Sequence, residues 1–387
     1  MKRFVYGVMI CVLGAVLCVL LYRFVSRVIP PSSNGQGIWQ DKSELTAIAG
    51  SRVISCYGTK NEMIAAAEKR MQELIPLITD KEVLPPSGDS RDYTSLAEDY
   101  RPNPAFSGST SYVKRKEEMN PEKWDETRYD ARRLVTMADT AKDLARGYAM
   151  TGRKAYAERA LALTRAWFID GTTRMNPRLS YAHLIPGRFE GQSTGIMETV
   201  KLIDVVDALY LLRDCCSKEE WESYQHWFGA YSDWLLTSEL GKEADATDNH
   251  YGLWYDAEVC VFAHFAGNEE PAQNILSDVP EKRMAVQIAE DGALPMELKG
   301  TRPLDDSLQT LRAYLTLARV GEELGVNLYD AKSSNGRSLK LAIDYILPYL
   351  KGEKTMQDKE LDDSAADAFW LSLHLANRHY KNPAYEK

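Results

Sequence analysis

Apolar side chains recur at every third or fourth position through most of this 387-residue chain, and that spacing limits its fold more than any other feature. Leu134, Met137, Ala138, Ala141, Leu144, Ala145 and Tyr148 all fall on one face of a 3.6-residue helix. Residues 156–168, 196–212, 219–236, 272–288, 308–324 and 339–350 carry similar stripes, and 363–376 repeats the pattern less cleanly. Short connections with Gly, Pro, Asp or Asn separate them, as at Thr151-Gly152-Arg153 and Gly267-Asn268-Glu269-Glu270-Pro271. Strand-like alternation is scarce. The expected class is all-α: successive antiparallel helix hairpins that either close into an α/α toroid or stack as an open solenoid. Periodicity alone does not choose between the two.

The amino terminus has a different character. Lys2 and Arg3 precede an uncharged apolar run from Phe4 to Tyr22, followed by Arg23 and Arg27. The run is long enough to span a bilayer, with the basic end inside. Residues 1–29 are therefore expected to be an uncleaved membrane anchor, with a cleaved signal peptide as the alternative. Either reading exports the remainder to the periplasm or the cell exterior. A polar linker is expected over 30–50 and one helical domain over 51–387. With 44% hydrophobic and 10% aromatic residues, such a domain can bury a large core. A formal charge of -9 argues against a nucleic-acid partner, and an acidic ligand would have to be met by local donors. Cys56, Cys215, Cys216 and Cys260 form no Cys-x-x-Cys, so neither a zinc pattern nor a disulfide framework is present. No metal or cofactor is expected.

The densest chemistry lies in Asp248-Asn249-His250-Tyr251-Gly252-Leu253-Trp254-Tyr255-Asp256, at the expected start of a helix. An amide, an imidazole and phenols together suit the β-elimination of a uronate chain. That reaction removes the C5 proton beside a sugar carboxylate and expels the oxygen at C4. Neutral or cationic donors must take up the developing enolate charge, and a base and an acid must reach C5 and the leaving oxygen. Asn249 suits the first task and His250 the second. A packed Asn-His pair capping a helix is the plain structural alternative. Two irregular segments, 92–121 and 174–187, interrupt the helical pattern, and loops of this length are usually functional or disordered. Tyr181 and His183 are expected on the second, between Pro177 and Pro186.

Several ordered pieces accompany these residues: Pro102-Asn103-Pro104, Asn120-Pro121-Glu122, Thr173-Arg174-Met175-Asn176-Pro177, Ile185-Pro186-Gly187, Asn249-His250, Pro295-Met296-Glu297-Leu298 and Gly325-Val326-Asn327-Leu328. In this order, over about residues 93–330, the chain resembles the alginate lyase domain of toroidal polysaccharide lyases, which act on alginate or glucuronan. The resemblance implies an α/α toroid and a cleft for an anionic polysaccharide. It also implies an Asn and a His from the Asn-His motif, a Tyr from a later helix start, and no metal. The later Arg and Tyr of that family align here with Gly300 and Asp306, with Lys299 or Arg302 as substitute cations. His183, Gln192 and Tyr100 also depart from the family's usual residues. The expected catalytic set is thus His250 as base, Tyr181 or Tyr251 as acid, and Asn249. His183, Gln192, Lys299, Arg302, Tyr255, Asp306 and Tyr100 are expected to contact substrate. Two other readings are a binding protein that has lost turnover, and a hydrolase using Asp248 or Glu297 with Asp305 or Asp306.

Overall fold

The computed structural model describes residues 37–49, 57–103, 111–115, 119–356 and 362–387. The expected anchor lies outside them, as do Cys56 and Pro104. No helix among the described residues is long and apolar enough to cross a membrane.

Helices dominate, and their ends follow local chemistry. The described helices are α1 (Lys42–Ala49), α2 (Lys60–Gln72), α3 (Ala131–Thr151), α4 (Lys154–Phe168), α5 (Leu202–Leu211), α6 (Lys218–Thr237) and α7 (Glu239–Asp245). They continue with α8 (His250–Ala266), α9 (Glu269–Val279), α10 (Ala285–Gln287), α11 (Pro295–Leu298), α12 (Pro303–Leu324), α13 (Leu339–Leu350) and α14 (Asp363–Tyr380). Capping boxes at Thr59 and Ser217 satisfy exposed amides at the starts of α2 and α6. Gly152 and Gly267 end α3 and α8 with φ of 69° and 78°, a left-handed turn that a side chain would strain.

Four helices, α3, α5, α8 and α12, pack side by side in that order. They run parallel. Asp139 and Lys142 on α3 meet Lys201 and Asp204 at the start of α5, in the same sequence order. Tyr210 near the end of α5 meets Phe265 near the end of α8. Asp306 and Glu323, near the two ends of α12, neighbour His250 and His264 near the two ends of α8, so the amino-terminal ends of all four converge at one end of the molecule. The partners α2 and α4 cover α3, α6 and α9 cover α8, and α13 and α14 cover α12. Between the layers lies one continuous apolar core with Trp167, Trp254, Tyr314 and Phe228 fully buried.

Three expectations change. Segments 92–121 and 174–187 are not wholly irregular. β1 (Thr94–Leu96) pairs in parallel with β4 (Tyr181–Leu184), and β2 (Tyr100–Pro102) pairs antiparallel with β3 (Tyr112–Lys114). Strands of three or four residues are too short for a period-2 signal to appear. The stripe over 272–288 does not form one α-helix, because Pro280 opens a π-helical turn over Pro280–Met284, where a missing N–H interrupts the regular ladder. The stripe over 196–212 likewise begins as a 3₁₀ helix at Ser193–Lys201. Finally, part of the region expected as linker is packed, with residues 37–41 and Leu45 buried. Ile38, Trp39 and Leu45 are buried, and the Ile38 and Trp39 amides donate to Asp207 at 2.5 and 2.7 Å. Ile38 and Trp39, two adjacent residues among polar ones, make no stripe, so only the packed chain reveals their anchorage.

Candidate functional site

Asn249 starts α8. Its Oδ1 accepts the Tyr251 amide at 3.1 Å, as an N-cap should, and its backbone carbonyl accepts from Gln287 Nε2 at 3.3 Å. Gln287 is in turn fixed by the Tyr314 hydroxyl at 2.7 Å. The capping role occupies the amide oxygen of Asn249 and leaves its NH₂ group without a described partner.

His250 is held twice by one carboxylate. Its amide donates to Glu297 Oε1 at 2.9 Å, and its Nδ1 lies 2.8 Å from Oε2. Glu297, on α11, is 4% exposed. A carboxylate only accepts, so in the neutral imidazole Nδ1 is the nitrogen that carries the proton and Nε2 is left as the acceptor. The Tyr251 ring lies 4.4 Å from the imidazole, centroid to centroid. Burial raises the Tyr251 phenol above its usual range, and Glu98, Asp306 and Asp99 add to the shift. Asp306, at the start of α12, is raised mainly by burial and further by Glu297, against the lowering influence of His250 and Arg302. A Cβ added at Gly300 would come 2.7 Å from Asp306 Oδ2, so this glycine makes room for the carboxyl. Imidazole, phenol and carboxyl thus share one space.

A second group faces it. Lys123 Nζ lies 3.0 Å from both Glu98 and Glu198. Glu198 also accepts from the Tyr93 and Ser95 hydroxyls at 2.9 and 2.5 Å. Although burial opposes it, Lys123 and His183 hold the Glu198 carboxyl well below its usual range. His183 has a left-handed backbone, φ 52°, which is rare for a residue with a side chain. Its amide donates to Ser95 Oγ at 3.0 Å, its Nδ1 meets Thr194 Oγ1 at 3.0 Å, and its carbonyl accepts from Gln192 Nε2 at 2.6 Å. Three tethers sustain the strained conformation.

The remaining expected residues are dispersed. Tyr181 is half-buried opposite Thr94, in the electrostatic neighbourhood of Arg178. Tyr255 is core, 4% exposed, its hydroxyl donating to the Leu235 carbonyl at 3.3 Å. Tyr100 lies between the cations of Lys114 and Arg188, 5.6 and 5.7 Å from its ring. Arg302 is paired with Asp305 through two contacts of 2.9 and 2.5 Å. Lys299 is exposed on the turn after α11. Glu297 as the partner of His250, and Glu98, Lys123 and Glu198, were not singled out as a site from sequence. Lys123 directly follows the Asn120-Pro121-Glu122 motif, and Glu297 sits inside another quoted motif, yet nothing in a single chain pairs them with distant partners.

The sequence pattern described as alginate lyase matches residues 77–356. The chain belongs to the alginate lyase family. Family and fold place it among the polysaccharide lyases and decide for the α/α toroid over the open solenoid. An alginate lyase from Bacteroides ovatus superimposes with a TM-score of 0.81 at 26% identity, covering 91% of this chain and 94% of that one. Alginate lyase A1-III from Sphingomonas species A1 shares the fold at 14% identity and a TM-score of 0.59, over 93% of this chain and 92% of that one. A histidine-to-alanine variant of that enzyme complexed with a tetrasaccharide matches at the same TM-score, 0.59, and 14% identity, over 92% of both chains. No curated protein matches the chain.

Proposed function

We propose that this alginate lyase family member cleaves a uronate-containing polysaccharide, alginate-like or glucuronan-like, by β-elimination. The observation that carries the reading is the double grip of Glu297 on His250 beside the Tyr251 phenol. With its proton held on Nδ1, His250 takes the C5 proton through Nε2. Tyr251, whose phenol is raised by burial, stays protonated near neutral pH and donates to the departing C4 oxygen. The free NH₂ group of Asn249 binds the sugar carboxylate and shares the enolate charge. Lys299, exposed on the turn before Gly300, supplies a mobile cation. The raised carboxyl of Asp306 lessens its repulsion of an anionic sugar. Tyr181 is the weaker acid candidate because its charged neighbour is Arg178 rather than the His250 group.

The hydrolase reading finds less support. Both Glu297 oxygens are taken by His250, and Asp305 is paired with Arg302, so neither is free to serve as an acid or base on sugar. The apolar run at residues 4–22 supports action outside the cytoplasm. The test is to incubate the protein with alginate, glucuronan and related polyuronates. Growth of ultraviolet absorbance from an unsaturated sugar is expected and should vanish in His250→Ala. Reducing ends without that absorbance would mean hydrolysis, and binding without either signal would mean lost turnover.

A further inference from the structure

The segment Thr173-Arg174-Met175-Asn176-Pro177 takes no part in the elimination chemistry, yet it is firmly placed against α6. The Trp227 indole of α6 donates to the Met175 carbonyl at 2.7 Å, and the Asn176 amide donates to the Arg91 carbonyl at 3.0 Å. Between this segment and α6 lies an open groove of about 510 Å³, walled on one side by Asn176, Pro177 and Arg178 and on the other by Ala230, Asp233 and Trp234. That volume is in the range of small-molecule sites, about 300–1,000 Å³. The groove is on the outer flank of the toroid. Phe228 and Tyr231 turn the inner face of α6 to α8, each ring packing on Phe262. Ala230, Asp233 and Trp234, at i, i+3 and i+4, form a stripe on the far side of the same helix. The body of α6 therefore stands between the groove and the inner helices that assemble the His250 group.

The polar groups of the groove are fixed in place and only partly used. Arg178 is held bidentate by Asp92, with Nε and Nη2 each 2.7 Å from a carboxylate oxygen, and its Nη1 has no described partner. Asn176 Nδ2 donates to Asp92 and Asp89 at 2.7 and 3.1 Å, which leaves its Oδ1 as an acceptor. Trp234 is half-buried, with the ring of buried Tyr231 parallel to it at 6.0 Å, and no described acceptor takes its indole N–H. Asp233 is exposed, and its carboxylate meets no cation among the described residues. Two donors and two acceptors thus border an aromatic ring and a proline. Neighbouring sugar hydroxyls need donors and acceptors in like measure, and the C–H face of a pyranose packs on an aromatic ring. A uronate is a poor match, because Arg178 is already neutralised by Asp92 and Asp233 would repel a second carboxylate.

We propose that this groove is a binding site for an uncharged pyranose unit, separate from the elimination cleft and independent of the elimination reading. The full chain would be titrated by calorimetry with neutral tetrasaccharides of glucose, mannose and galactose, with a saturated uronate tetrasaccharide and with tetramethylammonium. Wild type, Asp233→Ala and Trp234→Ala would be compared, with circular dichroism checking the fold. A neutral tetrasaccharide should bind wild type, and its affinity should fall by on the order of tenfold in either variant, through loss of the charged acceptor or of the ring. Asp233→Ala, at an exposed position, decides the matter if Trp234→Ala does not fold. Uronate affinity and the ultraviolet elimination assay should be unchanged in Asp233→Ala. Neutral sugars that fail to bind, or that bind the variants as tightly, would overturn the site while leaving the eliminase intact. Uronate or tetramethylammonium binding that depends on Asp233, without any for neutral sugars, would overturn the assignment to an uncharged pyranose. A wild type inert on polyuronates that still binds a neutral sugar through Asp233 would overturn the catalytic reading and leave the groove standing.

Discussion

At the residue scale, the proposed elimination turns on which phenol shares space with His250. Two tyrosines compete in the sequence, Tyr181 and Tyr251, and their residue type cannot rank them. Their surroundings do. Tyr251 lies against the imidazole with its ring tilted by 31° and has Asp306 and Glu98 nearby, whereas Tyr181 lies near Arg178. Tyr251→Phe is therefore expected to lower kcat on the order of 10²-fold or more, the usual contribution of a general acid, with KM little changed. Tyr181→Phe should stay within a few-fold of wild type in the same ultraviolet assay. Reversal of the two results would exchange their roles. The candidate status of Asn249 and His250 was legible from type and adjacency alone. The Glu297 contact was not, because it joins positions 47 residues apart and a lone glutamate after a proline is also a common helix start.

At the element scale, the long helices read well because each carries several turns of apolar stripe. The stripe at 339–350 coincides with α13, and those at 134–148 and 308–324 lie within α3 and α12. The short strands did not read at all, since their pairing is with distant chain and not with a periodic face of their own. β4 also depends on close approach. Gly195, in the 3₁₀ segment that follows, packs so tightly that a Cβ there would come 2.5 Å from the Cβ of Ala182. Gly195→Ala should destabilise the protein by about 1–3 kcal/mol through overpacking, seen as an earlier denaturant midpoint. The strained His183 is adjacent to Ala182, so substrate KM should rise as well. An unchanged midpoint would show that the strand gives way cheaply.

At the scale of the whole molecule, residues 37–41 act as an inward strap tying three inner helices together. Trp39 reaches Thr316 of α12 through its indole N–H at 3.0 Å, its amide reaches Asp207 of α5, and its ring meets Trp254 of α8. Trp39→Ala should cost about 3–5 kcal/mol of stability, as expected for truncating a buried aromatic, with loss of midpoint measured in denaturant. An unchanged midpoint in Trp39→Ala would show that the strap contributes little to holding the inner helices together. The helical class, the course of the longest helices and the candidacy of Asn249 and His250 were determined by sequence alone, because 3.6-residue periodicity and side-chain type are local properties. Closure into a toroid, the insertion of Trp39 and the grip of Glu297 were decided only in three dimensions. Each depends on which distant helix supplies the neighbour, and that choice is made by packing the whole core at once.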